Sequence, residues 1–501
     1  MKLKRGLMNI VAGIGSQLII LAFGMIVPRM MILTYGSEVN GFFSSISQLL
    51  SYLTLLEAGV GAATIQALYQ PIAQKDLLGI SGILSATKKF YRKISLYYLI
   101  GVCIFTVAYP VVVDSQINKM DMMIIILLSG LSGVIDFYYQ ATIKQLMLAE
   151  GRAYVVTNIG LFVQISSYLA KILVIYLNQS IVLIQALYLL INIIQVFIYK
   201  WYCNKKYNWI IKNAEPNYEA LNQKNSFLIH QITSLIFMST DTIVLTLEST
   251  LKIVSIYNVY NMIITALNLL CNTLNDGLAF ALGLTYYENE KRYILIHDTY
   301  NVYYSAFVAA LMSICYVLFK PFLILYTSGM DENYILPYLP LMFCLIQILS
   351  ALRMVSNNLI RIAGHMPQTV SRTIIEAVLN LGISLILTPK FGIYGVLLGT
   401  IIALAYRTND IILYADIKLL KRNPIHSYKT VIINISLFLM ILLINQKINI
   451  KIESYIIFFA MGIVYSALIG GVYLIVNSVF NRKEFGFLKG VIISKIHNRQ
   501  N

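Results

Sequence analysis

The chain has 501 residues, of which 58% are hydrophobic and only 12% are charged. Soluble domains are about half apolar and about one quarter charged, so this composition excludes a soluble enzyme and predicts a polytopic membrane protein. The formal net charge is +16. We assign this excess to basic loops that face an anionic cytoplasmic leaflet, and not to nucleic-acid binding.

Apolar segments long enough to cross a bilayer recur along the whole chain. A spanning helix needs about 20 apolar residues, and we predict fourteen such helices. A turn at Asn178–Gln179–Ser180 divides one long stretch, 153–199, into two of them. The other predicted helices lie at 6–28, 41–66, 94–113, 122–143, 226–247, 253–275, 299–319, 333–352, 369–388, 391–413, 430–446 and 454–481.

The first segment has two marks of a secretory signal peptide. Residues 1–5 are basic, and small residues flank Phe23 at a cleavage-like position. The apolar run is nevertheless long for a signal peptide, and it contains Asn9 and Gln17. We therefore predict that this segment is a retained first helix.

The distribution of basic residues predicts the orientation. With the N-terminus in the cytoplasm, the inner segments hold 27 of the 38 Lys and Arg residues and the outer loops hold 7. Cytoplasmic loops are the ones that carry an excess of Lys and Arg. Both termini are therefore predicted to be cytoplasmic.

A weak internal repeat indicates two similar halves. Leu148–Arg152 and Ile362–His365 each precede a helical hairpin, and a polar basic segment at 201–225 separates the halves. Duplicated halves are typical of transporters, with the binding site between them. We predict an N-terminal six-helix bundle at 1–200, a cytoplasmic linker at 201–225, a C-terminal six-helix bundle at 226–415, and two additional helices with a cytoplasmic tail at 416–501.

Nine ionisable residues fall within predicted helices. Each would cost about 2.5–3.5 kcal/mol at a lipid-exposed helix centre, so most must face a cavity, a partner charge or the membrane interface. Four of them, which have no opposite charge at i±3 or i±4, are predicted to face a polar cavity. The nine are Glu57, Asp136, Lys171, Asp241, Arg353, Arg372, Glu376, Arg407 and Asp410, and the four are Glu57, Lys171, Asp241 and Arg353.

Several of these charged residues have alternative interpretations. Arg372 with Glu376 and Arg407 with Asp410 have the spacing of intrahelical pairs, and both arginines are close enough to helix ends to extend towards the interface. Arg29 follows Pro28 at the outer end of the first helix. A lipid headgroup and a substrate are equally good partners for Arg29.

The chemistry of these groups suits a transporter. Arginine binds phosphate with two parallel hydrogen bonds, whereas buried acids suit proton or sodium coupling because their pKa responds to burial and to nearby cations. Gly392, Gly395 and Gly399 in one helix predict a close helix approach or a hinge. We find neither a Walker A motif nor HExxH, and we predict no catalytic residue, no metal site and no cofactor beyond a coupling Na⁺ or H⁺.

Several dispersed motifs resemble the polysaccharide-transporter branch of the multidrug/oligosaccharidyl-lipid/polysaccharide (MOP) exporter superfamily, the Wzx-type flippases. The resemblance covers roughly residues 5–480. In the first half it rests on Arg5-Gly6-x-x-Asn9, Gly13, Gln17, Pro28-Arg29, Gly36-x-Glu38-x-Asn40-Gly41, Gln48, Ser51-Tyr52-Leu53, Glu57-x-Gly59-x-Gly61 and Leu68-Tyr69-x-Pro71. In the second half it rests on Ser239-Thr240-Asp241-Thr242-Ile243, Gly364-x-x-x-Gln368, Glu376, Asn380, Gly392-Ile393-x-Gly395 and Gly399-Thr400.

The resemblance implies a non-enzymatic flippase of the bacterial cytoplasmic membrane. Its substrate would be an undecaprenyl-diphosphate-linked oligosaccharide for capsule or O-antigen, moved by alternating access between two six-helix bundles. Membrane lipids, and the polysaccharide polymerase and glycosyltransferases of the pathway, are the implied partners. The candidates for substrate binding are Arg29, Lys171, Arg353 and Arg407, and those for ion coupling are Glu57, Asp136 and Asp241.

Two alternatives remain. The first is an ion-coupled drug or metabolite exporter of the same superfamily. Against a cation exporter, residues 6–28 contain no acid and the tenth helix carries Arg353. The second alternative is a polysaccharide polymerase or ligase, which would need a large external loop, whereas the predicted outer loops are short.

Overall fold

The computed structural model describes residues 20, 22–57, 59–211, 214–221, 240–288, 290–447 and 452–497. Within these residues the protein is all helical. Its helices are α1 (Ala22–Tyr35), α2 (Ser37–Leu53), α3 (Val60–Gln74), α4 (Leu77–Val112), α5 (Lys119–Ile135), α6 (Ala141–Ala149), α7 (Ala153–Tyr176), α8 (Ile181–Lys206), α9 (240–248), α10 (Leu251–Glu288), α11 (Glu290–Tyr326), α12 (Leu339–Leu352), α13 (Met354–Ile362), α14 (Met366–Phe391), α15 (Ile393–Tyr414), α16 (Ile425–Lys447), α17 (Tyr455–Phe480) and α18 (Arg482–His497).

The described residues contain 11 helices that are long and apolar enough to span a membrane, or 12 if the bent pair of α2 and α3 is one span. This confirms an all-α, multi-pass membrane protein. The predicted first and seventh helices are described only as the short α1 and α9, because their other residues lie outside the described part of the chain. The count of fourteen therefore stays a prediction.

Two of the membrane spans depart from a straight helix. The chain bends by 43° between α2 and α3, where Thr54–Glu57 forms a 3₁₀ turn and Gly59 has a φ of 89°. That backbone conformation favours glycine. Between α5 and α6 the helix widens into a π segment over Asp136–Gln140, a distortion often found at functional sites.

The chain divides into two compact units, with the boundary between Ile256 and Tyr257. The predicted linker, at 201–225, precedes this boundary in the sequence. Part of the linker is hydrogen-bonded to α4 of the first unit. The backbone N–H of Ile211 donates to Ser81 Oγ at 3.1 Å, and that of Asn217 donates to the Gly82 carbonyl at 3.1 Å. The limits of the two six-helix bundles stay a prediction.

Tyr207 anchors the start of the predicted linker by a hydrogen bond. Its hydroxyl donates to Glu150 Oε2 at 2.9 Å, and the Arg152 side chain also contacts that oxygen at 2.9 Å. Burial, together with the charge of Glu150, raises the pKa of Tyr207. The phenol therefore stays neutral and acts as a donor at physiological pH.

In the first unit, small residues allow α4 and α5 to pack closely. A Cβ added at Gly130 would lie 2.3 Å from Val102 Cγ1, and one at Gly133 would lie 2.6 Å from the Tyr98 hydroxyl. Glycine at these positions brings the two backbones together. Tyr98 is thereby positioned as part of a cavity wall.

In the second unit, α14 and α15 approach each other at the predicted glycines. A Cβ at Gly395 would lie 2.5 Å from the Leu387 carbonyl carbon, and one at Gly399 would lie 2.8 Å from the Ser384 backbone nitrogen. These neighbours are backbone atoms, which cannot rotate away. The prediction of a close helix approach is confirmed at both positions.

We expect Gly395→Ala to destabilise the protein by about 1–3 kcal/mol, since overpacking against fixed atoms forces the backbone to shift. Gly382→Ala in the facing helix α14 is the matched control, because nothing lies within 4 Å of its added Cβ. Alanine favours a helix over glycine by about 1 kcal/mol, so this control should be neutral or more stable. Thermal unfolding of the purified protein in detergent measures both, and equal melting temperatures for the two variants would contradict the prediction.

Candidate functional site

A cavity of about 700 Å³ lies within the first unit, bounded by residues from α2 and from α4 to α8. Its wall is rich in hydroxyl and amide side chains, although these helices are apolar enough to span a membrane. Burying such groups is costly unless they form hydrogen bonds, and four of the serines and Asn192 donate to backbone carbonyls of their own segments. The amides are Gln164, Gln185, Asn192 and Gln195, and the serines are Ser47, Ser51, Ser129, Ser132 and Ser167.

Two helix faces supply much of this polar wall. On α8 the lining residues recur at 185, 188, 192 and 195, and on α7 at 160, 164, 167 and 171. Steps of three and four residues place side chains on one face of a helix. Charges alone did not predict these faces, although the spacing of polar residues within apolar runs was a signal for them.

Lys171 is the last residue of the α7 face, and its side chain lines the cavity. Its ammonium nitrogen lies 6.0 Å from the centre of the Phe43 ring. No carboxylate of the described residues forms an ion pair with it. Lys171 therefore lines the cavity without a carboxylate partner among the described residues, as predicted from its lack of an intrahelical partner.

The other two charges of the cavity wall neutralise each other. Asp136, at the start of the π segment, forms an ion pair with Lys144. The Lys144 ammonium also lies 5.5 Å from the centre of the Tyr199 ring. With this pair balanced, the lining residues carry a net charge of one unit, which comes from Lys171.

Glu57 lies outside the cavity lining, in a hydrogen-bonded chain at the bend between α2 and α3. Its Oε1 accepts a hydrogen bond from the Tyr91 hydroxyl at 2.6 Å, and Gln145 Nε2 donates to that hydroxyl at 3.1 Å. A Cβ at Gly61 would lie 2.7 Å from Glu57 Oε1. The glycine therefore leaves room for the carboxylate at this bend.

Neither Asp241 nor Arg29 lines the cavity. Asp241 is buried on α9, next to Thr240, whose hydroxyl oxygen lies 3.4 Å from that of Tyr52. Arg29 is half-buried on α1. Their predicted roles in ion coupling and substrate binding stay predictions.

The charges of the second unit form a network across three segments. Arg353, at the break between α12 and α13, donates to Glu376 Oε1 at 2.5 Å. The Arg407 side chain is 5% exposed and contacts Glu376 Oε2 at 3.5 Å and Asp410 Oδ2 at 2.5 Å. Arg372 contacts Asp410 Oδ1 at 2.9 Å. Three arginines therefore share two carboxylates.

This network revises the pairing read from spacing. The Arg407–Asp410 pair is confirmed, but Arg372 pairs with Asp410 on α15 and not with Glu376 on its own helix. Glu376 instead bridges Arg353 and Arg407. The structure thus brings Lys171 and Asp136 together in the cavity and Arg353 and Arg407 together in the network.

The sequence matches no family model and no curated protein sequence. The fold, however, matches solved structures of membrane transport proteins. Lipid II flippase MurJ in an inward closed conformation aligns with a TM-score of 0.68 at 14% identity, over 95% of this chain and 99% of its own. An inward-facing multidrug resistance MATE family transporter of the MOP superfamily aligns with a TM-score of 0.67 at 13% identity, over 81% of this chain and 97% of its own.

An outward-facing structure of the same description aligns with a TM-score of 0.54 at 15% identity, over 81% of this chain and 94% of its own. The chain therefore has a MurJ- and MATE-like fold, as the resemblance of the sequence motifs implies. The aligned proteins are described as a flippase and as transporters.

Proposed function

We propose that the protein is a flippase that moves an undecaprenyl-diphosphate-linked oligosaccharide across the bacterial cytoplasmic membrane by alternating access. The observation that carries this proposal is the cavity of the first unit. Its volume of about 700 Å³ falls within the range of about 300–1,000 Å³ found for ligand pockets. Its hydroxyl and amide side chains suit the hydroxyl groups of sugars, since both kinds of group donate and accept hydrogen bonds.

Lys171 supplies the anion-binding group in this proposal. An ammonium group without a carboxylate partner is free to bind a phosphate or an acidic sugar, and such charge-assisted bonds are about twice as strong as neutral ones. Arg353 and Arg407 have carboxylate partners within the network, so we assign them primarily to the packing of the second unit. Among the predicted substrate-binding residues, we therefore favour Lys171 as the one that contacts the substrate.

For ion coupling we propose Asp136 as the first residue to examine. Its carboxylate lies in the cavity wall and pairs with Lys144. Protonation of Asp136, or binding of Na⁺ there, would raise the positive charge of the cavity. Such a change would alter the affinity for an anionic substrate, which is the link that coupled transport requires.

Depletion of the protein in its bacterial host tests the function. We expect undecaprenyl-diphosphate-linked glycans to accumulate on the cytoplasmic side and surface polysaccharide to decline, and mass spectrometry of the accumulated lipid identifies the glycan. The fold match to a MATE transporter keeps an ion-coupled drug or metabolite exporter as the second candidate. Unchanged lipid-linked glycans, with new sensitivity to a cationic drug, would favour that exporter.

A second experiment tests whether the protein acts in a polysaccharide pathway. The polysaccharide polymerase and the glycosyltransferases that build the repeat unit are the proposed functional partners. Deletion of the first glycosyltransferase should prevent the accumulation caused by depletion, because no glycan is then attached to the lipid. Accumulation that persists in this double strain would contradict an oligosaccharide substrate.

A further inference from the structure

Three segments of the second unit meet at a cluster of metal-ligating side chains. Asp298 belongs to α11, His426 to the first turn of α16, and Glu484 to the first turn of α18. His426 Nε2 lies 3.4 Å from Asp298 Oδ2 and 3.5 Å from Glu484 Oε1. One ligand atom from each residue lies within 4.8 Å of the other two.

These separations are too long for hydrogen bonds, for which N···O distances are 2.7–3.2 Å. Each of the two distances instead fits the separation between neighbouring ligand atoms of one metal ion. Zinc binds nitrogen and oxygen at about 2.0–2.2 Å in a tetrahedron, which places neighbouring ligand atoms about 3.3–3.6 Å apart. The His426 side chain is 35% exposed, but its Nε2 atom is buried and has no hydrogen-bond partner among the described residues. The imidazole nitrogen therefore points towards the two carboxylates.

Glu484 gives an independent reason for a cation. Its side chain is 6% exposed, and His426 is its only ion-pair partner in the described part of the chain, at 3.5 Å without a hydrogen bond. A buried carboxylate without a close cation is costly. Its neighbours Arg482 and Lys483 are both exposed, and neither forms an ion pair with it among the described residues.

Two residues hold Asp298 in place. Arg422 Nη1 donates to its Oδ2 at 2.6 Å, and His297 Nδ1 lies 3.1 Å from its Oδ1. Arg422 Nε also donates to Asp416 Oδ1 at 2.7 Å. Metal-binding carboxylates are commonly oriented by hydrogen bonds of this kind.

The charge of the cluster matches a divalent cation. Asp298, Asp416 and Glu484 carry three negative charges and Arg422 carries one positive charge, so the cluster has a net charge of −2 when both histidines are neutral. Lys429, on the same helix as His426, donates instead to the Phe480 carbonyl at 2.6 Å. A divalent ion bound by the neutral imidazole would balance the cluster.

We propose that Asp298, His426 and Glu484 bind a zinc-like divalent cation that ties α18 and the start of α16 to α11. The terminal torsion of glutamate is broad, so a small rotation of the Glu484 carboxylate brings the third ligand pair together. Water completes the coordination. The three ligands come from distant segments and match no ligand spacing, so the sequence did not predict a metal site. The site is independent of the transported substrate.

The test uses the full chain, purified in detergent with any affinity tag removed and stripped with EDTA. We expect one Zn²⁺ to bind per chain and the melting temperature to rise by about 5 °C at a hundredfold excess of zinc over its Kd. Co²⁺ should give the visible absorption of a tetrahedral site. Zinc should also slow proteolysis within α18.

His426→Gln should abolish these effects, and Glu484→Gln should weaken them. His365→Gln is the matched control, because His365 lies in the same unit and its Nδ1 lies 3.0 Å from the Tyr414 hydroxyl. If His426→Gln does not fold, the cobalt spectrum of the unaltered chain decides the question. Zinc binding that survives His426→Gln would overturn the proposal. A melting temperature that does not change with zinc but rises on acidification to pH 5 would also overturn it, because that result indicates an imidazolium group of His426 that bridges the two carboxylates.

Discussion

Lys171→Ala is expected to lower the rate of lipid-linked glycan transfer by about 10–100-fold while leaving the amount of folded protein unchanged. The Lys171 ammonium lines the cavity without a carboxylate partner among the described residues. Hydrogen bonds to charged groups contribute about 1.5–3 kcal/mol, which corresponds to that range of rates. Removing an unpaired buried charge also relieves its desolvation cost, so the fold should not suffer.

The measurement is complementation of the depleted strain, with surface polysaccharide and cytoplasmic-side lipid-linked glycan as readouts. Lys171→Arg keeps the charge and should retain much of the activity. Lys119→Ala, at an exposed position outside the cavity lining, is the matched control and should behave as the unaltered protein. Full activity of Lys171→Ala would remove Lys171 from the substrate site, and a loss of folded protein would show that its role is structural.

Glu376→Gln is expected to destabilise the second unit by about 3–5 kcal/mol, the usual cost of removing one partner from a buried ion pair. The substitution removes the carboxylate that lies 2.5 Å from Arg353 and 3.5 Å from Arg407. It leaves three arginines with Asp410 as the only acid of the network. Thermal unfolding in detergent and size-exclusion chromatography of the expressed protein measure the loss.

A charge-balanced double variant separates this effect from a change of shape. Adding Arg353→Met to Glu376→Gln removes both ends of the pair, so we expect part of the stability to return, since interacting sites are not additive. Glu453→Gln, at an exposed position in the same unit, should have no effect. If Glu376→Gln unfolds at the same temperature as the unaltered protein, the network does not stabilise the unit.

Residues that act within one helix could be predicted from the sequence. The turn at Asn178–Gln179–Ser180 was visible because polar residues interrupt an apolar run, and the structure ends α7 at Tyr176 and begins α8 at Ile181. Lys171 was identified as a cavity residue because no opposite charge lies one turn away. An unpaired charge in lipid is costly, but the same criterion also selected Arg353, which forms an ion pair with Glu376, and Glu57, which lies outside the cavity lining.

Pairings that cross helices could not be predicted in this way. Asp136 and Lys144 are eight residues apart, and they meet across the π segment, whereas helical spacing favours partners at three and four residues. Lys144 follows the predicted helix at 122–143 and was not among the nine ionisable residues assigned to helices. α18 was missed as well, because it is only 16 residues long and lacks the apolar run of a spanning helix.

The long apolar segments were enough to predict a protein that crosses the membrane many times, since hydrocarbon admits long apolar helices and excludes unpaired charges. The glycine spacing also predicted a close helix approach at Gly395 and Gly399, whereas Gly392 lies between α14 and α15, and a Cβ added there meets nothing within 4 Å. The partners of the buried charges became apparent from the packing of the helices. Glu376 joins Arg353 and Arg407, and Asp298 lies beside His426 and Glu484, because Coulomb interactions depend on distance in space, and helix packing alone sets that distance for residues far apart in the chain.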